Sequence, residues 1–138
     1  MITHENLTRA GAALAERFEL TEDDRLWDPL PFYHLSTLLP MSACRTVGAR
    51  FIACDHFESG GALEELERTR ATILYPAFPT LMASMIAHPD YSKRDLSHIR
   101  LMLNIGPPDL LRRFAAALPH AAQVLCYWLT AGSGPSPL

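Results

Sequence analysis

Cysteine is scarce in this 138-residue sequence, which has only three: Cys44, Cys54 and Cys126. No two of them have C-x-x-C spacing, and each lies in an apolar segment. An odd number of cysteines at these positions argues against a disulfide framework and against a thiolate zinc site. We therefore expect buried free thiols in a reducing cytosol.

Basic clusters and long apolar runs are also missing. The net charge is −3, from 12 basic and 15 acidic residues, and no basic cluster exceeds Lys93-Arg94 or Arg112-Arg113. The sequence therefore has no basic patch of the kind that binds nucleic acid or an anionic membrane surface. The longest apolar tract, residues 71–87, is broken by Pro76 and Pro79 and is shorter than a membrane span of about 20 residues. The first residues lack the features of a signal peptide, so we expect a cytoplasmic protein.

Three common active-site motifs are absent. The sequence contains no G-x-x-x-x-G-K-[ST] phosphate loop, no G-x-G-x-x-G dinucleotide motif and no G-x-S-x-G nucleophile elbow. Its six histidines include no i, i+4 pair. Cys54 and His56 could share a metal ion, but an isolated pair at strand spacing is a weak indication, so we predict no metal ligands.

What is present is a regular alternation of strand-like and helix-like segments. The pattern predicts strands at 25–30, 50–54, 72–75, 99–103 and 123–127. It predicts a first helix that ends near residue 19 and further helices at 35–46, 62–70, 79–86 and 108–118. Such alternation predicts an α/β fold, with a parallel sheet flanked by helices on both faces. We assign residues 1–131 to one partial domain and residues 132–138, which are rich in Gly, Ser and Pro, to a flexible tail.

Residues 99–130 carry the clearest functional signal. A predicted strand ends in the Gly- and Pro-rich turn 104–109, a helix follows, and a second strand ends in the polar turn 128–134. Two parallel strands joined by a helix place both turns at the same edge of the sheet, where open α/β sheets bind ligands. We expect the two turns to contact the same ligand.

Three side chains at predicted strand ends are candidates for ligand contact. His34 directly follows the segment 29–33 and either donates a hydrogen bond to a carboxylate or is a structural histidine satisfied within the fold. Tyr127 either stacks on a flat base or completes the core. Thr130 either bonds a phosphate oxygen or caps its turn.

Six segments of the chain match, in order, the motifs of a known family. They are Thr3-His4-Glu5-Asn6-Leu7, Pro29-Leu30-Pro31-Phe32-Tyr33-His34, the junction from Arg70 to Pro76, Asp95-Leu96-Ser97-His98-Ile99-Arg100, Gly106-Pro107-Pro108 and Tyr127-Trp128-Leu129-Thr130. Together they resemble the AMP-forming acyl-CoA synthetases of the adenylate-forming superfamily. The resemblance covers almost the whole chain and implies the flavodoxin-like subdomain in the middle of the family's large N-terminal domain.

The resemblance implies ligands and roles for individual residues. In that family a carboxylic acid and ATP form an acyl-adenylate and pyrophosphate, and coenzyme A then takes the acyl group. By position, His34 would lie near the acyl carboxylate and Ile105-Gly106-Pro107 beside the adenine. Tyr127 would stack on the base, and Thr130 would contact the α-phosphate as the catalytic residue. The implied ligands are ATP or AMP, coenzyme A, Mg²⁺ and a small carboxylic or fatty acid.

Two residues depart from the family pattern Y-G-x-T-E. Trp128 replaces the glycine, and Ala131 stands where the magnesium-linked glutamate belongs, which weakens the metal clamp on the phosphates. The family's phosphate loop, ribose-binding aspartate, hinge and C-terminal domain with its catalytic lysine have no counterpart in the 138 residues.

These observations lead to three hypotheses. The first is a fragment of an acyl-CoA synthetase that keeps part of the adenosine- and acyl-binding wall but does not catalyse adenylation alone. The second is a non-catalytic flavodoxin-like module that binds a nucleotide or coenzyme A, and the third is a non-functional truncated remnant. Exposed sheet edges would also allow the chain to associate with itself.

Overall fold

A five-stranded parallel sheet forms the centre of the fold. The computed structural model of the chain describes residues 2–125, 127–129 and 134–136. The strands of the sheet are β1 (Arg25–Asp28), β2 (Arg50–Ala53), β3 (Ile73–Ala77), β4 (Leu101–Asn104) and β5 (Ala122–Leu125). Neighbouring strands pair in parallel in the order β2-β1-β3-β4-β5. This is the strand order of flavodoxin-like folds.

Helices cover both faces of this sheet. They are α1 (His4–Arg17), α2 (Leu35–Val47), α3 (Ser59–Thr69), α4 (Pro79–Ala87) and α5 (Pro108–Ala117), with a short 3-10 helix at Tyr91–Lys93. Leu14 of α1 and Leu39 of α2 belong to the buried cluster on one face. Leu63 of α3 and Phe114 of α5 belong to the cluster on the other. The predicted α/β fold with a parallel sheet and helices on both faces is therefore confirmed.

The ends of the first two helices follow from local sequence. Thr3 and Asn6 form a capping box at the start of α1, in which each side chain accepts a hydrogen bond from the other residue's backbone N–H. Gly48 ends α2 in the left-handed region at φ 79°, which glycine adopts without steric cost. Pro40 lies in the second turn of α2, where its missing N–H removes one helical hydrogen bond.

Helix α3 begins earlier than predicted. The sequence pattern starts this helix at Ala62, but its first residue is Ser59. The carboxylate of Glu58 accepts hydrogen bonds from the backbone N–H groups of Gly60 and Gly61, at 2.8 and 2.7 Å. This N-terminal cap stabilises a first turn that its two glycines alone would not favour.

The last predicted strand was wrong at its carboxyl end. We expected one strand over 123–127 and a turn over 128–134. Instead, β5 ends at Leu125, and β6 (Tyr127–Leu129) pairs antiparallel with β7 (Gly134–Ser136). Residues 127–129 form a two-stranded antiparallel ribbon because they pair with β7, a few residues further along the chain, and not with β4. The flexible tail over 132–138 stays a prediction.

An ion pair between the buried Asp24 and the partly exposed Arg100 joins the amino ends of three strands. Asp24, which is 3% exposed, accepts hydrogen bonds from Arg100 Nε at 2.9 Å and Arg100 Nη2 at 2.8 Å, and from Thr72 Oγ1 at 2.6 Å. Arg100 also donates to the backbone carbonyls of Phe18 and Glu19, after α1. Burial alone would raise the pKa of Asp24, but the hydrogen bonds from Arg100 and Thr72 lower it to about 2.

Both described thiols are free, but only one of them is buried as expected. Cys44 is buried and Cys54 is half-buried, while Cys126 lies outside the described residues. Burial raises the pKa of both thiols to about 12, and for Cys54 a hydrogen bond to Glu65 adds to the effect. Among the helices that the structure describes, none has both the length and the hydrophobicity needed to cross a bilayer.

Candidate site at the carboxyl edge of the sheet

The candidate site lies where the direction of strand connections reverses. From β1 the chain passes through α2 to β2 on one side, whereas from β3 it passes through α4 to β4 on the other. In such sheets the ligand binds beyond the carboxyl ends of the strands at this reversal, because the two connections leave toward opposite faces. We define the switch edge as the last residue of each of three strands together with the residues that follow it: 28–34 for β1, 77–79 for β3 and 104–107 for β4.

His34 presents a defined hydrogen-bond donor at the switch edge. It is exposed and forms the N-cap of α2. Its Nδ1 accepts from the Ser36 backbone N–H at 3.3 Å and lies 2.7 Å from Ser36 Oγ. Because Nδ1 accepts the backbone hydrogen bond, the neutral ring carries its proton on Nε2. That N–H is free to donate to a carboxylate, since no described residue bonds it.

Buried polar groups fix the turn that carries His34. Asp28 Oδ1 accepts from the Leu30 backbone N–H at 2.8 Å, while Thr37 Oγ1 donates to the Pro31 carbonyl at 3.0 Å. Asp28 is fully buried, and its Oδ2 has no hydrogen-bond partner among the described residues. Burial raises the pKa of Asp28 to about 8, only partly offset by the Leu30 N–H, so this carboxyl is mostly neutral at pH 7.

The turn Ile105-Gly106-Pro107 connects β4 to α5 at the same edge. Ile105 is 39% exposed, and Pro107 is the N-cap of α5 without a side-chain hydrogen bond to the helix. A Cβ on Gly106 would make only ordinary contacts, at 3.6 Å from Leu110 and 3.7 Å from Pro79. The positive end of the α5 dipole therefore lies at the switch edge beside an exposed apolar residue.

Exposed apolar side chains are concentrated at this edge. Four of the six exposed large apolar residues that the structure describes lie at the switch edge: Phe32 (50% exposed), Tyr33 (87%), Phe78 (52%) and Ile105 (39%). A fifth, Leu125 (44%), ends β5 on the same side of the sheet. Monomeric proteins rarely gather such side chains without a partner or ligand. Neither Phe32 nor Phe78 was predicted from the sequence as a site residue. The available signal was their position next to a proline, shortly after a strand.

A second buried polar residue at the switch edge was also missed. Asn104, the last residue of β4, is fully buried, and neither Oδ1 nor Nδ2 has a hydrogen-bond partner among the described residues. Its position as the only polar residue of an apolar strand was the available signal.

The structure brings together some of the predicted site residues and leaves others undescribed. His34 and the turn Ile105-Gly106-Pro107 both lie at the switch edge, after strands two spacings, or about 10 Å, apart. The backbone of Tyr127 lies in β6, whereas Thr130 and Ala131 lie outside the described residues. The individual roles of these residues stay predictions.

The weak metal candidate has another role in the fold. Cys54 Sγ donates to Glu65 Oε2 at 3.1 Å, and the same oxygen accepts from Trp27 Nε1 at 2.9 Å. Cys54, His56 and Glu65 line a cleft of about 500 Å³ beyond β2. In the part of the chain that the structure describes, no three His, Cys, Asp or Glu side chains are placed to hold a metal ion together.

The amino-acid sequence of this chain is similar to those of known proteins. The family model described as AMP-binding enzyme matches residues 1–136. YngI of Bacillus subtilis, which its name assigns to the acyl-CoA synthetases, is 35% identical over 109 residues, covering 78% of this chain and 20% of YngI. The human mitochondrial medium-chain acyl-CoA ligase ACSF2 is 30% identical over 141 residues, covering 96% of this chain and 23% of ACSF2.

Solved structures of related enzymes have the same arrangement of strands and helices. The ATP-bound MatB structure from Rhodopseudomonas palustris superposes with a TM-score of 0.83 at 26% identity, covering 99% of this chain and 28% of MatB. The N-terminal domain of FACL13 from Mycobacterium tuberculosis gives 0.85 at 25% identity, covering 96% and 34%. This chain spans about a fifth to a quarter of the length of the curated relatives it matches. The chain belongs to the AMP-binding enzyme family.

Proposed function

We propose that this chain forms part of the adenosine- and acyl-binding wall of an ATP-dependent carboxylic acid–CoA ligase. The observation that carries the proposal is the placement of His34, with its Nε2–H directed by the hydrogen bonds to Nδ1, at the same sheet edge as the turn Ile105-Gly106-Pro107. One element offers a donor for a carboxylate, and the other offers an apolar turn and a helix dipole for a nucleotide.

The residues at the switch edge suit an apolar acid and an adenine nucleotide. His34 would hold the carboxylate of a small carboxylic or fatty acid, and the exposed aromatic residues Phe32 and Phe78 would cover its apolar part. In this proposal the turn Ile105-Gly106-Pro107 lies beside the adenine, Tyr127 stacks on the base and Thr130 contacts the α-phosphate. Coenzyme A would then accept the acyl group.

The donor set for Mg²⁺ does not fit this chain. Magnesium is held by carboxylates together with substrate phosphates, and Ala131 occupies the position at which the resemblance places the carboxylate. We propose that the 138 residues alone bind ligand without forming an acyl-adenylate, because the strongest electrostatic contributions to phosphoryl chemistry come from groups that this chain does not supply.

Calorimetric titration of the purified chain tests the proposal. We expect saturable binding of AMP and of octanoate, and no octanoate-dependent exchange between ATP and pyrophosphate. His34→Ala should weaken octanoate binding at least tenfold and leave AMP binding unchanged. His56→Ala, which removes an exposed histidine beyond β2, is the matched control. Steady exchange would contradict the non-catalytic part of the proposal, and absence of binding of both ligands at millimolar concentration would contradict the whole.

The flavodoxin-like strand order favours one alternative, a module that binds a nucleotide or coenzyme A without an acid. It predicts AMP or coenzyme A binding that His34→Ala does not affect, together with no affinity for octanoate. The same titrations therefore separate the two functions. A cytoplasmic location and self-association through the edge strands β2 and β5 stay predictions.

A further inference from the structure

Two side chains in the first turn of α2 contact His34 or the turn that carries it. Ser36 contacts the ring: its backbone N–H donates to Nδ1, and its Oγ lies 2.7 Å from the same nitrogen. Thr37 contacts the turn: its Oγ1 donates to the Pro31 carbonyl at 3.0 Å. The His34 backbone N–H donates to that same carbonyl, also at 3.0 Å.

The Thr37 side chain is buried, and its hydroxyl forms one defined hydrogen bond. Thr37 is fully buried and is one of four buried polar or charged residues that the structure describes. Its side chain and the backbone of His34 meet on one acceptor, so the Pro31 carbonyl ties the start of α2 to the turn before it. Prolines at 29 and 31 restrict the rest of the turn by fixing their own φ angles. This bond therefore helps to fix the turn from which the imidazole projects.

The Ser36 contact selects which ring nitrogen faces outward as a donor. A neutral imidazole has one donor and one acceptor nitrogen, and the hydrogen bond at one fixes the proton on the other. With Nδ1 occupied from within the helix, the exposed Nε2 carries the proton. An anion requires a donor at that position, whereas the other tautomer would present a lone pair.

We propose that Ser36 and Thr37 are positioning residues for recognition of a carboxylate by His34. Ser36 holds the ring in the Nε2–H tautomer, and Thr37 holds the turn that points the ring to the switch edge. The inference rests on the proposed function for the identity of the anion. The arrangement itself rests on the contacts described above.

Thr37→Val tests whether the Thr37 hydroxyl positions the turn that carries His34, because valine keeps the shape of threonine and removes the hydroxyl. Thr46→Val is the matched control: Thr46 Oγ1 donates to the Ser42 carbonyl at 2.9 Å near the other end of α2. We expect Thr37→Val to raise the octanoate dissociation constant at least tenfold without changing that of AMP. Thr37→Ser, which keeps the hydroxyl, should restore octanoate affinity, and Thr46→Val should change neither constant.

Ser36→Ala tests the hydroxyl contact at Nδ1, because alanine removes Oγ and keeps the backbone N–H that also donates there. Nitrogen NMR of His34 gives a readout that is independent of any ligand. We expect Ser36→Ala and Thr37→Val to shift the His34 ring nitrogen signals, and Thr46→Val to leave them in place. Unchanged octanoate affinity in Thr37→Val, or an equal loss of AMP affinity, would overturn the positioning role. If the unsubstituted chain binds neither octanoate nor AMP, the proposed function fails, and unchanged ring signals in both variants would then overturn this inference separately.

Discussion

The buried carboxyl of Asp28 predicts an unusual dependence of stability on pH. Burial raises its pKa from an ordinary 3.8 to about 8, so in the folded chain it keeps its proton while the unfolded chain loses it. Between these two values the folded state binds more protons than the unfolded state, and the free energy of unfolding therefore falls as pH rises. At pH 7 the cost to the unsubstituted chain is about 4 kcal/mol, since each pH unit above 3.8 adds about 1.4 kcal/mol.

Asp28→Asn removes this cost without removing the hydrogen bond. The asparagine Oδ1 can still accept from the Leu30 N–H, and the amide does not ionise. We expect the variant to match the unsubstituted chain at pH 4 and to exceed its free energy of unfolding by about 4 kcal/mol at pH 7. Urea unfolding followed by circular dichroism at half-unit steps from pH 4 to pH 8 measures this difference.

Asp24→Asn, at the other end of the same strand, is the control because its expected sign is opposite. The pKa of Asp24 is lowered to about 2, so its ionised form stabilises the fold above pH 3.8 and this contribution is lost as pH falls toward 2. The variant should be less stable by about 2 kcal/mol at pH 7 and should approach the unsubstituted chain toward pH 2. A stability difference for Asp28→Asn that stays constant from pH 4 to pH 8 would refute the reasoning, since it would mean that Asp28 is ionised in the fold.

Three further predictions concern the Asp24–Arg100 ion pair, the packing of a helix glycine and the reactivity of the thiols. Arg100→Leu leaves a buried carboxylate unpaired and should lower the free energy of unfolding by about 3 kcal/mol in urea titrations; a loss below 1 kcal/mol would mean that this partly exposed pair contributes little. Gly11→Ala should lower the melting temperature, because its Cβ would overlap a serine side chain of α2, at a cost of about 1–3 kcal/mol. Gly61→Ala is the control: the nearest contact of its added Cβ would be at 3.4 Å, so the melting temperature should stay unchanged or rise. With the third cysteine replaced by serine, Cys44 and Cys54 should react with Ellman's reagent at pH 8 only after urea is added, because their pKa of about 12 keeps them protonated; rapid labelling of the folded chain would contradict this.

Most elements of the fold could be predicted because their signals are local. Apolar runs of strand length, each ended by proline, glycine or polar residues, located all five strands of the sheet. The boundaries that were wrong depend on interactions a short pattern does not contain. Helix α3 begins at Ser59 because Glu58 caps two glycines, and β5 stops at Leu125 because the next residues pair with β7.

The candidate site was predictable where a motif defines it and not where burial does. His34 and Ile105-Gly106-Pro107 follow strands, and the alternation of strands and helices is enough to place them at one edge. Ser36 and Thr37 are ordinary helix residues in the sequence, and their roles depend on the path of the turn before α2. Asn104 is marked in the sequence only as the polar residue that ends an apolar strand, and the packed sheet is needed to show that its amide is enclosed.

Sequence by itself determined the order of elements, the α/β class and the motifs that place this chain in its family, because these depend on residue type and spacing along the chain. Tertiary structure alone decided the chemical state of the side chains. Asp24 and Asp28 are the same residue type, four positions apart at the two ends of β1. One meets an arginine across the sheet and is held ionised, while the other meets apolar surroundings and keeps its proton, because the energy of a charge depends on what packs around it.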